Sequence, residues 1–216
     1  MDFLDLAAVC GPLVHPLTTQ AIARVESGFN PWAIRNNTLA RTFLPSSRAD
    51  AVALVNRFHG QGHQLAIGLM QVTTPWIYRF HITAESLLDE CTNIGIGSRI
   101  LADNYRRLAP GSASPAEALS RALSAYWSGK PDTGGVYVNH VYKLAGSTVR
   151  VPVTKGVTDG VLGARSAASP VLFAAAGTGR NLKGASVKAS PNNRTSSARQ
   201  SPLFFNTGQF PPVVPP

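Results

Sequence analysis

This 216-residue sequence has only two cysteines, no long apolar run and almost no acidic residues in its last third. The two cysteines, Cys10 and Cys91, form no CxxC pair, which argues against a cysteine-bound metal and leaves two alternatives, buried thiols or one disulfide. No apolar run approaches the roughly 18 residues that a membrane span needs, so we expect no transmembrane segment. The start, MDFLDLAAVC, lacks a basic segment, and we therefore expect no signal peptide.

The shortage of acidic residues is confined to the C-terminal part. Residues 1–146 hold 12 Lys/Arg and 10 Asp/Glu, whereas residues 147–216 hold 8 Lys/Arg, 1 Asp and 8 Pro. A segment rich in Pro, Ser and Ala cannot bury enough apolar surface to offset the entropy lost on ordering. We therefore predict one folded domain over residues 1–146 and a disordered basic tail over residues 147–216. The tail's charge suits an anionic partner, but it carries no nucleic-acid motif, so we expect no nucleic-acid partner.

Apolar residues recur at helical spacing along most of the first part, which predicts a mainly α domain. One helix is predicted to begin near Pro16 and to end at Gly28, and its apolar stripe stops beside Glu26. An extended stretch breaks at Asn36-Asn37, which predicts a minor β-hairpin. The other helices are predicted in DFLDLAAVC, SSRADAVALVNRFHGQG, residues 84–108, SPAEALSRALSAYWSG and VYVNHVYKLAG.

Three short motifs follow one another along the domain: Glu26-Ser27 at a helix end, GLMQ at residues 68–71 and AYWSG at residues 125–129. Each motif is weak alone. Together they resemble the lytic transglycosylase family of the lysozyme superfamily, whose signature is Glu-Ser, then Gly-Leu-Met-Gln, then Ala-Tyr-Asn-x-Gly. The segment from Glu26 to Gln71, with its Asn-Asn turn and GHQLAIGLMQV, is most similar to the transglycosylase component of type IV secretion systems, and the cysteine positions match that subgroup.

The resemblance covers residues 1 to about 146 and implies a lysozyme-like domain of the goose-type or SLT class. It implies an enzyme that cleaves peptidoglycan strands between N-acetylmuramic acid and N-acetylglucosamine with a 1,6-anhydro product, and so opens the cell wall for a secretion or conjugation apparatus. The expected location is the periplasm, where Cys10 and Cys91 would form a disulfide. The expected partners are the glycan strands and, through the tail, a protein of the apparatus. Neither a cofactor nor a metal is expected.

The acidic residues favour this chemistry over hydrolysis. Cleavage of a β-1,4 glycosidic bond requires a carboxylic acid that protonates the leaving oxygen, and Glu26 is the candidate. A hydrolytic muramidase of the same fold would need a second carboxylate, about 5–5.5 Å away for retention or about 6.5–9.5 Å away for inversion. Between Glu26 and Gln71 the other acid is Asp50, for which a capping role suffices. In the family the muramic acid's own 6-hydroxyl attacks, with N-acetyl assistance, so one glutamate serves as acid and then as base.

The first two motifs supply most of the expected site. By the resemblance Glu26 is the general acid and base. Ser27 is expected either to contact substrate or, more simply, to orient the turn. Gly68, Met70 and Gln71 are expected to contact substrate along a strand that lines the cleft, with core packing as the alternative for the Met70 side chain.

The third motif adds aromatic residues and the main departures from the family. Tyr126 is expected within hydrogen-bond reach of the Glu26 carboxylate, and Tyr137 is expected to line the cleft or to pack in the core. Trp127 stands where the family has Asn and offers a surface for stacking on a sugar. Ala66 stands where the secretion subgroup commonly has Asp. These departures leave open a third possibility, a non-catalytic glycan-binding scaffold subunit that acts through its tail.

Overall fold

The helices begin and end where local capping residues place them. In the N-terminal part of the chain, Pro16 opens a helix and Gly28 closes it with a left-handed backbone, φ +62°, that glycine adopts without a steric cost. Near residue 114, the Ser114 hydroxyl accepts a hydrogen bond from the Glu117 N–H at 3.1 Å, and the helix that follows ends before Gly129, φ +76°. Both helices have the predicted bounds.

The computed structural model describes residues 1–147 and residue 151, and the predicted tail lies otherwise outside the described residues. This part of the chain is mainly α, as predicted. Two short 3₁₀ turns, Glu85–Leu88 and Ala109–Gly111, precede and follow the longest helix. The helices are α1 Phe3–Cys10, α2 Pro16–Ser27, α3 Arg48–Gly60, α4 Pro75–Phe80, α5 Glu90–Leu108, α6 Pro115–Ser128 and α7 Gly135–Leu144, and the strands are β1 Ile34–Asn36, β2 Arg41–Phe43, β3 Leu65–Ile67 and β4 Val72–Thr73.

The predicted hairpin is present as β1 and β2, and the structure extends it to a four-stranded antiparallel sheet in the order β2-β1-β3-β4. The prediction that GLMQ forms a strand is wrong, because these four residues make the tight turn between β3 and β4. Gly68 and Gln71 both have left-handed backbones, with φ +77° and +48°. A run that is apolar at nearly every position has no period of two, so its pattern does not reveal where a strand stops.

Helix α5 is the centre of the core. Ile94 and Leu101 are completely buried in it, and the helix packs against both α1 and α6. Cys10 at the end of α1 and Cys91 in the first turn of α5 form a disulfide, which confirms the disulfide alternative. Within the described part of the chain, no helix is both long and apolar enough to cross a bilayer.

Candidate active site

Glu26 lies in the last turn of α2 and lines a cleft of about 190 Å³. The helix brings it there because the buried stripe of α2, which includes Ile22, faces the core while the chain turns away at Gly28. The end of α2, the sheet, α6 and α7 all contribute walls. The lining residues are Val25, Glu26, Ser27, Gly28, Ala33, Arg35, Thr42, Leu44, Gln71, Trp127 and Tyr137.

Tyr137 on α7 holds the carboxyl group of Glu26. Its hydroxyl donates a hydrogen bond to Glu26 Oε1 at 3.0 Å, across 111 residues of sequence. The ring is 2% exposed, so Tyr137 both packs in the core and lines the cleft. Trp127 on α6 stacks on it, with ring centroids 5.9 Å apart and an interplanar angle of 17°. One side of the cleft is therefore a rigid aromatic wall that fixes one carboxyl oxygen.

Tyr126 ties α6 to the turn between β3 and β4. Its hydroxyl donates to the Met70 carbonyl at 2.7 Å. The expectation that Tyr126 lies within hydrogen-bond reach of the Glu26 carboxylate stays a prediction, and Tyr137 is a residue whose hydroxyl donates to that carboxylate. The neighbouring Trp127, by contrast, lies in the cleft wall where the sequence placed it.

Ser27 joins α2 to the same turn. Its Oγ lies 3.0 Å from the Ala23 carbonyl, within the helix, and 2.8 Å from the Leu69 carbonyl of the turn. Both acceptors share one hydroxyl proton, so the side chain fixes the turn beside Glu26. This geometry matches the orienting role, and Ser27 also lines the cleft.

Gln71 and Gly68 are the two ends of the turn, and a hydrogen bond joins them. The Gln71 side-chain amide donates to the Ala33 carbonyl at 3.1 Å and to the Gly68 carbonyl at 2.9 Å. These bonds hold Gln71 at the cleft wall in its left-handed conformation. The Gly68 N–H donates to the Ala33 carbonyl at 2.9 Å, and Gly68 is buried and outside the lining set.

Met70 takes the alternative role that the sequence offered for it. Its side chain is completely buried and is absent from the cleft lining. It packs on α5 at Gly97, where an added Cβ would lie 2.7 Å from Met70 Sδ. Because this side chain packs in the core and does not line the cleft, the geometry does not support contact between Met70 and a sugar.

Asn93 is a positioning residue that sequence reasoning missed. It is 1% exposed, and its Oδ1 accepts from the Met70 N–H at 2.8 Å. Its Nδ2 donates to the carbonyls of Ile67 and Leu87, both at 2.8 Å. Asn93 thus fastens the turn to α5. The available signal was an amide beside Ile94 on the inward face of an amphipathic helix, where a buried polar group needs partners.

Six other cleft residues were also missed, because they belong to none of the three motifs: Val25, Gly28, Ala33, Arg35, Thr42 and Leu44. Among the described residues that line the cleft, Glu26 is the only acid. Asp50 instead lies in the first turn of α3, where its N–H donates to the N-cap Ser47 Oγ at 3.1 Å and its carboxylate accepts from the Ser47 hydroxyl at 2.7 Å. In the described part of the chain, no group of three or more His, Cys, Asp or Glu side chains is placed to hold a metal ion.

Comparison with known proteins places this site in a family. A model of the transglycosylase SLT domain matches residues 7–138. Type IV secretion system protein virB1 of Brucella suis biovar 1 is 34% identical over 188 residues, which cover 79% of this chain and 76% of the relative. Protein virB1 of Agrobacterium fabrum is 35% identical over 130 residues, 59% of this chain and 52% of the relative. Protein virB1 of Rhizobium radiobacter is 32% identical over 152 residues, 68% and 62% of the two chains.

No solved structure was found to match the chain. The family model covers more than half of the sequence, and it includes Glu26, the GLMQ turn and the aromatic wall of the cleft. The chain therefore belongs to the transglycosylase SLT domain family, and it is a lytic transglycosylase with a lysozyme-like fold.

Proposed function

We propose that this enzyme cleaves the β-1,4 bond between N-acetylmuramic acid and N-acetylglucosamine in peptidoglycan and leaves a 1,6-anhydro end. Glu26 first donates its proton to the bridging oxygen, and the bond from that oxygen to the muramoyl anomeric carbon breaks. The muramoyl 6-hydroxyl then attacks the anomeric carbon and gives its proton to the Glu26 carboxylate. The donated proton stays on the leaving sugar's hydroxyl, Glu26 regains a proton from the 6-hydroxyl, and no water is consumed.

One observation carries this proposal: Glu26 is the single acid among the described residues that line the cleft. The hydrolytic routes use two carboxylates, one on each side of the scissile bond. An intramolecular nucleophile removes the need for the second one. The bond from Tyr137 to Glu26 Oε1 supports the same role, because a single group that must act as acid and then as base needs a fixed orientation.

The test is mass spectrometry of the products from purified peptidoglycan, with Glu26→Gln beside the wild type. The wild type should release fragments that are lighter by one water than the hydrolysis products. Glu26→Gln should lose about a thousandfold in rate, the middle of the range for general acid–base catalysis. The matched control is Glu90→Gln, because Glu90 is exposed in the first turn of α5 and outside the cleft.

Two results would contradict the proposal. Products that retain the added water would identify a hydrolytic muramidase. Absence of product from the wild type, or equal rates for the wild type and Glu26→Gln, would instead favour a glycan-binding scaffold subunit.

We propose further that the enzyme works in the periplasm, where it opens the wall for a type IV secretion or conjugation apparatus. A relative with 34% identity is named type IV secretion system protein virB1. The Cys10–Cys91 disulfide fits an oxidising compartment, since cytosolic thiols are normally kept reduced. The basic tail, residues 147–216, would bring the enzyme to a protein of the apparatus.

A further inference from the structure

Arg35 gives the cleft a positive charge that no step of the proposed reaction uses. It lies on β1, and its guanidinium lines the same cleft as Glu26. Its Nη1 donates to Thr42 Oγ1 at 3.2 Å. Its Nε is buried and has no hydrogen-bond partner within the described residues, and Arg35 forms no ion pair there.

The neighbouring strands leave this guanidinium without an internal anion. Arg35 lies opposite Thr42 of β2 and opposite Ala66 of β3, and neither side chain carries a charge. A buried donor on a charged group is costly when it has no acceptor. The Thr42 bond nevertheless fixes one arm of the guanidinium, so the group is oriented before any ligand arrives.

A planar guanidinium on a residue that lines a cleft is suited to a carboxylate. Arginine binds carboxylates through two parallel hydrogen bonds, and such charge-assisted bonds are stronger than neutral ones. Arg35 lies on β1, at the sheet side of the cleft, whereas Glu26 lies at the end of α2. An anionic substituent of the substrate is therefore directed toward the sheet side of the cleft and away from the reacting acid.

We propose that Arg35 binds a carboxylate carried by the muramoyl residue and so selects muramic acid over plain N-acetylglucosamine. The inference rests on the proposed function, since it takes peptidoglycan as the substrate. The muramoyl residue bears a lactyl ether with a carboxyl group, which is free on peptide-free strands. On peptide-bearing strands that group is an amide, and the carboxylates lie further along the peptide. Both the lactyl group and the peptide can present a carboxylate to Arg35, whereas chitin carries no carboxylate of either kind.

The experiment compares Arg35→Met, which removes the charge but keeps an unbranched chain, with Arg35→Lys, which keeps the charge. Each is tested on peptide-free and on peptide-bearing strands, with the carboxylates either free or converted to neutral amides. On one of the two free-acid substrates, Arg35→Met should lower kcat/KM by about tenfold, chiefly through KM. On the neutralised strands it should have no effect, and Arg35→Lys should retain part of the selectivity.

The matched control is Arg41→Met. Arg41 is exposed on β2 beside Thr42, and because side chains alternate along a strand it faces away from the cleft. This variant should bind and cleave both kinds of strand as the wild type does. Circular dichroism confirms that each variant is folded. If Arg35→Met does not fold, Ala66→Asp serves instead, because it places an internal carboxylate opposite Arg35 and should reproduce the loss on free-acid strands.

Binding to strands is measured by calorimetry in the Glu26→Gln background, so that the two proposals fail separately. Binding that depends on Arg35 and on free carboxylates, in an enzyme without anhydro product, would sink the proposed function and leave the carboxylate site standing. The preferred strand, peptide-free or peptide-bearing, identifies the source. An equal loss on free and neutralised strands, or no loss on either free-acid substrate, would overturn the role of Arg35.

Discussion

The hydroxyl of Tyr137 is the group that most directly orders Glu26. Tyr137→Phe removes the donor 3.0 Å from Oε1 and leaves the ring in place to stack on Trp127. Because a hydrogen bond to a charged group is worth more than a neutral one, we expect kcat to fall roughly tenfold with KM nearly unchanged. Steady-state kinetics on soluble glycan strands separates the two constants.

Tyr142→Phe is the matched control for that experiment. Tyr142 is buried on the same helix, but its hydroxyl pairs with Ser120 Oγ at 2.8 Å and does not line the cleft. This substitution should lower stability by about 1 kcal/mol and leave kcat unchanged. A loss of activity no larger in Tyr137→Phe than in Tyr142→Phe would show that the hydroxyl does not position Glu26.

The sequence predicted individual site residues where local chemistry decides their place. Ser27 and Gly28 end a helix, so the position of Glu26 in the last turn of α2 follows from neighbours in sequence. The contact between its carboxylate and Tyr137 depends on the packing of α7 against α2, 111 residues along the chain. The spacing of Tyr126 and Tyr137 within their own helices holds no such information.

At the scale of elements, the Asn93 amide fastens the turn between β3 and β4 to α5. Asn93→Ala would leave the Met70 N–H and the carbonyls of Ile67 and Leu87 without this partner in a buried site. Since each unpaired buried group costs about 1–3 kcal/mol, we expect the free energy of unfolding to fall by about 3 kcal/mol, with a loss of activity as the turn loosens. Urea denaturation at constant m measures the change.

Asn104→Ala provides the comparison, because Asn104 lies on the same helix and its amide oxygen accepts from Arg107 in the next turn at 3.1 Å. We expect it to cost less than about 1 kcal/mol. Equal stability losses in the two variants would mean that the turn is held by its other contacts. The turn itself could not be predicted, because Ser27, Tyr126 and Asn93, which bond to it, lie outside the GLMQ motif.

The start of α5 should make stability depend on pH. Asp89 Oδ1 accepts from the Thr92 N–H at 2.8 Å, and this bond, with the Thr92 hydroxyl, lowers the pKa of Asp89. Because the folded-state pKa is the lower one, the stabilisation is present above the unfolded pKa of about 3.9 and is lost as pH falls through the folded pKa. Asp89→Ala should cost about 1 kcal/mol at pH 7.

Asp89→Asn separates the charge from the cap, since Asn also caps helices but does not titrate. We expect the stability advantage of the wild type over Asp89→Asn to shrink as pH falls below about 4 in urea titrations. An advantage that stays constant over that range would mean that the Asp89 charge contributes nothing beyond the hydrogen bond.

At the scale of the whole molecule, the sequence predicted the class of fold better than the contacts between its elements. Helical periodicity and caps predicted most of the α elements, because both are local properties. The pairing of β1 with β3 joins the hairpin to the GLMQ turn, and it follows from tertiary contacts that no local pattern records. The spacing of Cys10 and Cys91 left thiols or a disulfide open, and the packing of α1 on α5 places them together.

The last described residue shows where the folded part can be cut. Asn139 on α7 donates to the Val151 carbonyl at 3.0 Å and accepts from the Val151 N–H at 2.9 Å, and Val151 packs on the core. A chain ending at residue 151 should therefore keep the unfolding free energy and the kcat/KM of the full chain on purified strands. A chain ending at 147 should lose about 1–2 kcal/mol with these two bonds.

The same truncation tests whether the tail recruits the enzyme. If the tail brings the enzyme to the apparatus, the chain ending at residue 151 should no longer co-purify with apparatus-containing envelopes, although it cleaves purified strands at the full rate. A full-length variant in which the eight Lys and Arg of residues 147–216 become Gln separates charge from the rest of the tail. Unchanged recruitment of the truncated chain would place the contact on the folded domain, and lost cleavage would make the tail part of the site. Recruitment that survives neutralisation but not truncation would assign it to the tail's uncharged segments.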